Sequence, residues 1–208
     1  MAIKYKQAVL ITLVTIGVIN IFGNCSKKPF CQTSVYNFNI GIKAYPDIDS
    51  VDVGDTIFFE INEPVVLNDL SSGSPINYSN AANLSTAIGI VELISINIYN
   101  TYANSDFRFN LIAGINVPRS DTNRVREYLF YENNQHYQLK FGLIPQKSGV
   151  YKMFVGSAAN VYRQGDNCAK ANFVIDFKNT NQHLYLNEVS FPGVILPPGG
   201  GVYLFKVK

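Results

Sequence analysis

Three cysteines, two histidines and one run of aspartates are the residues of this 208-residue chain best suited to chemistry. The histidines, His136 and His183, stand far apart in the sequence. Together with Cys25, Cys31 and Cys168 they lack the clustered spacing that a four-ligand zinc site takes. Asp47, Asp49, Asp52 and Asp55 crowd into "YPDIDSVDVGD" and could offer carboxylate oxygens to calcium. Val51, however, holds a position that an EF-hand loop needs polar. Four acids in a turn before a strand read as solvated, and no metal ligand is assigned. The chain carries no Gly-x-Ser-x-Gly elbow, no Walker phosphate loop and no paired-glycine dinucleotide fingerprint. No cofactor and no catalytic residue is expected. A Ser-His-Asp assembly can be built from residues distant in sequence. Nothing marks one here, and both histidines read as ordinary surface or edge residues.

Arg119, Arg124 and Arg126 form the densest basic run, but Asp121 interrupts it and Glu127 follows it. It reads as a solvated loop. The chain has 17 Lys+Arg and 15 Asp+Glu. Two of the lysines, Lys4 and Lys6, precede an apolar N-terminal run, so the remainder balances to zero. Nucleic acid needs a basic stripe, and none is present. Aromatic residues are plentiful, with 13 Tyr and 14 Phe but no Trp. Most of them fall on alternating positions that face a core. Tyr99, Tyr102 and Tyr162 are candidates for exposed rings on which a sugar could stack.

The N-terminal run, "AVLITLVTIGVINIF" from Ala8 to Phe22, has the length of a signal-peptide core and falls short of the ~20 residues of a comfortable membrane span. Lys4 and Lys6 precede it, and Gly23, Asn24 and Cys25 follow it. The layout resembles a bacterial lipoprotein signal. That resemblance implies that residues 1–24 are removed and that Cys25 becomes the acylated first residue. Several acyl chains anchor stably where a single one is marginal, because each buried methylene contributes about 0.8 kcal/mol. A cleaved ordinary signal and an uncleaved membrane helix are the two other readings of the same run. Lipidation of Cys25 leaves Cys31 and Cys168 as an even pair in an oxidising compartment, and they are expected to bond. The loop so closed is long, and chain entropy sets roughly 5 kcal/mol as its upper contribution.

Beyond the leader the dominant pattern has period two. In "YNFNIGIKAY", Tyr36, Phe38, Ile40, Ile42 and Ala44 share one face of a strand. "DTIFFEIN" repeats it with Ile57, Phe59 and Ile61, although Phe58 breaks the polar side. "LISINIYN", "DFRFNL", "HYQLKFGL", "VYKMFV", "NFVIDFK" and "GVYLFKVK" read in the same way. Turns rich in Pro, Gly, Asn, Asp and Ser separate them. "NYSNAANLSTA" could hold one short helix after a Ser79 or Asn80 cap. Many short strands with frequent turns predict an all-β sandwich.

Two segments sharpen that expectation. "LIPQKSGVYKMFV" resembles the turn before a late strand of immunoglobulin-like sandwiches, where a tyrosine bonds back to its corner. Tyr151 is the candidate for that structural corner. "VDVGDTIFF" resembles the start of a strand in bacterial immunoglobulin-like modules. With the leader, "YPDIDSVDVGDTI", "GLIPQKSGVY" and "NCAKANF", the chain resembles envelope lipoproteins of the Bacteroidetes type. The resemblance implies an immunoglobulin-like antiparallel β-sandwich with long connections, preceded by a signal-peptide helix. The expected organisation is a signal peptide over 1–24, a lipidated tether over 25–32 and one domain over 33–208. It further implies an outer-membrane lipoprotein held to the membrane through its N-terminal lipid, on the periplasmic or the surface side. The expected role is non-enzymatic: a module binding a glycan or protein ligand. An accessory subunit with a covered sheet edge, or a hydrolase with an unmarked site, are the alternatives. Asp49-Ser50-Val51 and Asp55-Thr56-Ile57 also resemble the short O-glycosylation sites of that group.

Overall fold

The computed structural model describes residues 34–94 and 101–208. Cys25, Cys31, Tyr99, the leader, the tether and most of "LISINIYN" lie outside the described residues. Sixteen strands follow in chain order: β1 (Ser34–Tyr45), β2 (Ser50–Val51), β3 (Ile57–Pro64), β4 (Val66–Asn68), β5 (Pro75–Asn77), β6 (Ser85–Glu92), β7 (Thr101–Tyr102) and β8 (Phe107–Ala113). The second half holds β9 (Ile115–Val117), β10 (Arg126–Leu129), β11 (Tyr131–Asn133), β12 (His136–Pro145), β13 (Gly149–Val155), β14 (Ala158–Arg163), β15 (Asp166–Phe177) and β16 (Val202–Val207).

They form two seven-stranded sheets and a small hairpin, β4–β5. The first sheet runs β11-β12-β3-β1-β15-β14, with β8 also on β12. The second runs β2-β16-β13-β6-β10-β9, with β7 on β6. The core lies between their inner faces. Phe38, Ile40 and Ile42 of β1, Ile57 and Phe59 of β3, and Phe141 of β12 are fully buried against Ile88, Ile90, Met153 and Phe205 of the other sheet. These are the alternating residues of the period-two runs, so the pleat itself sorts them inward. Phe58, the odd residue of its run, faces outward and stacks on Tyr45 with centroids 5.3 Å apart.

Most pairings are antiparallel, but two are not. β1 runs parallel to β15, and β2 runs parallel to β16. Parallel neighbours need a long crossover, and here each pair joins an early strand to a late one. Gly114 makes another departure from simple hairpins. Its φ of +114° turns the chain from β8 in the first sheet directly to β9 in the second. A Cβ there would also sit 2.7 Å from Leu139 Cδ1.

The helix expected in "NYSNAANLSTA" does not form. Asn80 and Asn83 take left-handed φ values of +61° and +57°, and β6 begins at Ser85. Asparagine tolerates that conformation, and the burial of Thr86, Ile88 and Ile90 in the second sheet outweighs local helix propensity. One short α-helix is described instead, Tyr185–Ser190. It lies in a strap over residues 178–201, between β15 and β16. The strap packs Leu186 and Phe191 against Val91, Leu93 and Leu204 on the outer face of the second sheet. Gln182 pins it: its side-chain N–H groups donate to the carbonyls of Gly199, Gly200 and Val202, and its Oε1 accepts from Gly199 N–H at 2.8 Å.

Candidate functional site

The strap covers part of the second sheet's outer face. Another part is approached by the loop over residues 118–125, between β9 and β10. That loop is fixed from below. The backbone turn Asn104–Asp106 follows β7, and Asn104 is fully buried. Its Oδ1 accepts from Ile90 N–H at 2.8 Å, and its Nδ2 donates to Thr122 O at 3.2 Å. Asn123 Oδ1 accepts from Ser105 N–H, and Asp121 O accepts from Val125 N–H. One buried amide therefore ties the central strand β6 to the loop above it.

Tyr102, Arg119, Asp121, Arg124, Val125 and Phe154 line a hollow of about 270 Å³ at this place. Tyr102 arrives through the pairing of β7 with Val91 of β6. Phe154 is carried by β13 and lies directly over Gly89 of β6. It also packs against the strap's apolar cluster, so the strap supports one wall of the hollow.

The polar groups are held in pairs. The Arg124 guanidinium lies over the Tyr102 ring, 4.7 Å from its centroid, and Nη2 donates to the Tyr102 hydroxyl at 3.2 Å. Arg124 Nε stands 3.5 Å from Asp121 Oδ2. The Tyr102 hydroxyl, then Asp121, favour the charged guanidinium and push the Arg124 pKa up. Arg119 Nη1 donates to Glu127 Oε2 at 2.5 Å, and Ser85 Oγ donates to the other carboxylate oxygen. Arg126 does not join them: its guanidinium lies over Phe109, 4.3 Å from the ring centroid. The basic run is a solvated loop, as expected, in which Arg119 and Arg124 are paired with carboxylates.

A polar groove marks the outer face of the first sheet. Lys178 and Glu63 are shared by its two halves, of about 300 and 360 Å³. Glu63 Oε1 accepts from Gly41 N–H, and Lys178 Nζ donates to Asn39 O, so each side chain is tied to the sheet by one bond.

Tyr151, on β13, is fully buried, and its hydroxyl donates to Lys147 O at 3.2 Å. Burial pushes its pKa up. The bond reaches back four residues to the turn before its own strand, the geometry of a tyrosine corner. Cys168, on β15, is not a free thiol. The acidic turn does not converge. Asp47 Oδ2 accepts from Asn181 N–H, Asp49 accepts from the Tyr185 hydroxyl, and Asp55 Oδ2 accepts from Asp52 N–H. Among the described residues no three His, Cys, Asp or Glu gather to hold a metal. Asp47 and Asp49 instead hold the strap.

His183 is buried, at 5% exposure, contrary to its expected place at a surface or edge. Its Nε2 lies 3.4 Å from Asp47 Oδ1, and its ring meets Tyr203 edge-on at 5.5 Å. The strap buries it, and a strap without strand periodicity gave no signal of that. His136 Nδ1 faces Asn134 O. Ser50 Oγ is enclosed, so it offers no hydroxyl to a glycosylating enzyme in the folded chain. Tyr162 stands on edge strand β14 of the first sheet, with Lys170 Nζ 5.0 Å from its ring centroid. It shares no face with Tyr102.

The described chain is a β-sandwich with one organised arginine–aromatic hollow. No family model matches it, and no curated protein does. Among solved structures, the human F-spondin reeler domain is similar over 88% of this chain and 100% of that one, at 9% identity and a TM-score of 0.40. The Reelin-N domain of F-spondin follows at 7% identity and 0.37, over 88% and 98%. A type II cohesin domain from the cellulosome of Acetivibrio cellulolyticus stands at 7% and 0.30, over 66% and 91%. At such scores the likeness says nothing of ligand or role.

Proposed function

We propose that this protein is a lipid-anchored, non-enzymatic binding module of a bacterial cell envelope, with its ligand seated in the hollow at Tyr102. The anchor is Cys25, following a removed signal over 1–24 and leading into a tether over 25–32 and one domain over 33–208. A Cys31–Cys168 disulfide ties the start of that domain to β15. The envelope lipoproteins of the Bacteroidetes type are the group it resembles, and the outer membrane is its place.

The observation that carries the binding role is the support beneath the hollow. A fully buried Asn104 fixes the loop that bears Arg119 and Arg124, while those arginines remain about half exposed. Preorganised polar groups around an open concavity are what a recognition site requires.

Two measurements test the reading. Full-length protein and Cys25→Ala are expressed in a related host, and N-terminal mass and membrane fraction are determined. Retention of the leader, or membrane association of the variant, would sink the anchor. Wild type and Tyr102→Ala/Arg124→Ala are then passed over immobilised envelope polysaccharide and immobilised envelope protein. Retention on one support, lost in the double variant, is expected. Equal retention of the two proteins, or none at all, removes the binding role from the hollow.

A further inference from the structure

We infer that the hollow takes a neutral, hydroxyl-rich ring, a saccharide unit, an inference that rests on the binding-module reading above. Its charges already balance. Arg119 is matched by Glu127 at 2.5 Å and Arg124 by Asp121 at 3.5 Å. An anionic ligand would meet Asp121, and a cationic one would meet two guanidinium groups. Each guanidinium of the lining already has a carboxylate partner, Glu127 standing just outside the lining.

The unused hydrogen-bonding capacity is of both kinds. Each guanidinium carries five N–H donors, and the contacts with Glu127, Asp121 and the Tyr102 hydroxyl leave several free. Asp121 is 51% exposed and offers acceptor oxygens. A hydroxyl both donates and accepts, so neighbouring hydroxyls on one ring can use an arginine and an aspartate together. A carboxylate only accepts and an ammonium group only donates, whereas a hydrogen phosphate adds a P–OH donor but brings negative charge.

The rest of the lining, Tyr102, Val125 and Phe154, is largely apolar, with one face of Tyr102 under Arg124. Tyr102 is 39% exposed, and the Phe154 ring lies over Gly89. A pyranose can present a face of C–H groups to an aromatic wall and turn its hydroxyls toward neighbouring arginine and aspartate side chains. A volume of about 270 Å³ has room for one such ring.

The test is saturation-transfer NMR on the full-length protein in a zwitterionic detergent. The probes are methyl glycosides of glucose, galactose, mannose and N-acetylglucosamine, with methyl glucuronide and inorganic phosphate as charged counterparts. The expected result is saturation of the ring protons of at least one neutral glycoside, with affinity at least tenfold weaker in Tyr102→Ala. Arg119→Ala removes a different wall without touching the Tyr102 ring, and it is expected to weaken the same probe, so that one misfolded variant cannot produce the outcome. Undiminished binding in both variants overturns the seat. Binding of glucuronide or phosphate alone overturns the neutral class. Silence from every probe overturns the saccharide while retention on immobilised envelope protein still upholds the binding module; silence with no retention on either support overturns both.

Discussion

Gly89 and Phe154 are cross-strand partners, and the ring occupies the space of the missing side chain: a Cβ at 89 would lie 2.1 Å from Phe154 Cζ. The contact matters twice. It lets β6 and β13 pair beneath a phenyl ring, and it places that ring in the wall of the hollow. Gly89→Ala must therefore push Phe154 out of place. The expected cost is about 1–3 kcal/mol, the usual range for overpacking, measured by urea unfolding. In a Phe154→Ala background the same glycine substitution should cost little, and a double-mutant cycle reads that coupling. Equal costs in both backgrounds would show that the ring is not what the glycine makes room for.

Asn104→Ala should cost about 1–3 kcal/mol, because it strands the buried Ile90 N–H and frees Thr122 O. The loop over residues 118–125 then loses its support. Amide hydrogen exchange at Ile90 and Val125 should accelerate together, while exchange in β1 and β15 changes only as global stability does. If Val125 keeps its protection, the loop is held by something other than Asn104.

Tyr151→Phe removes one hydroxyl from a corner and leaves the ring in the core, where it meets Phe107 at 4.8 Å. The expected loss is about 1 kcal/mol, that of one hydrogen bond with a backbone acceptor left behind. Tyr151→Ala should cost about 3–5 kcal/mol, as for other large aromatic truncations. Equal losses in the two variants, seen in chemical denaturation, would mean that the hydroxyl and not the ring is what the corner needs.

Alkaline pH should unfold this protein through its buried tyrosines. Tyr78 donates its hydroxyl to Val161 O and Ala169 O, and burial pushes its pKa up to about 12. Tyr137 and Tyr203 are raised further, again chiefly by burial. Each keeps its proton in the folded chain at a pH where the unfolded chain has lost it. Stability from these groups is complete below about pH 10, the ordinary tyrosine value, and is lost as pH climbs through 12. Each such proton contributes a slope of about 1.4 kcal/mol per pH unit in that window. Tm followed from pH 8 to 12, with tyrosinate absorbance read at the same time, checks it. A flat Tm, or tyrosinate forming before unfolding, contradicts it.

Much of the fold could be read along the chain. Phe38, Ile40 and Ile42, or Tyr137, Leu139 and Phe141, alternate with polar residues, and a pleated strand converts that alternation into two faces whatever its neighbours are. The Tyr151 corner was legible for a similar reason, since its partners at Lys147 and Ser148 are four and three residues away. The helix was misplaced because propensity is local and weak. The alanines and asparagines after Tyr78 became the turn that leads into β6, and the helix Tyr185–Ser190 formed where a sheet face was there to receive Leu186.

The hollow was not legible, and no local pattern could have shown it. Tyr102, Arg124 and Phe154 come from β7, a loop and β13, and only the pairing of β6 with both β7 and β13 brings their elements to one place. Sequence by itself settled which side chains face inward, because burial follows a two-residue period that the backbone enforces. Tertiary structure alone decided which outward-facing residues meet. Strand order is a long-range choice, and the period that sorts inside from outside carries no information about which strand lies next to which.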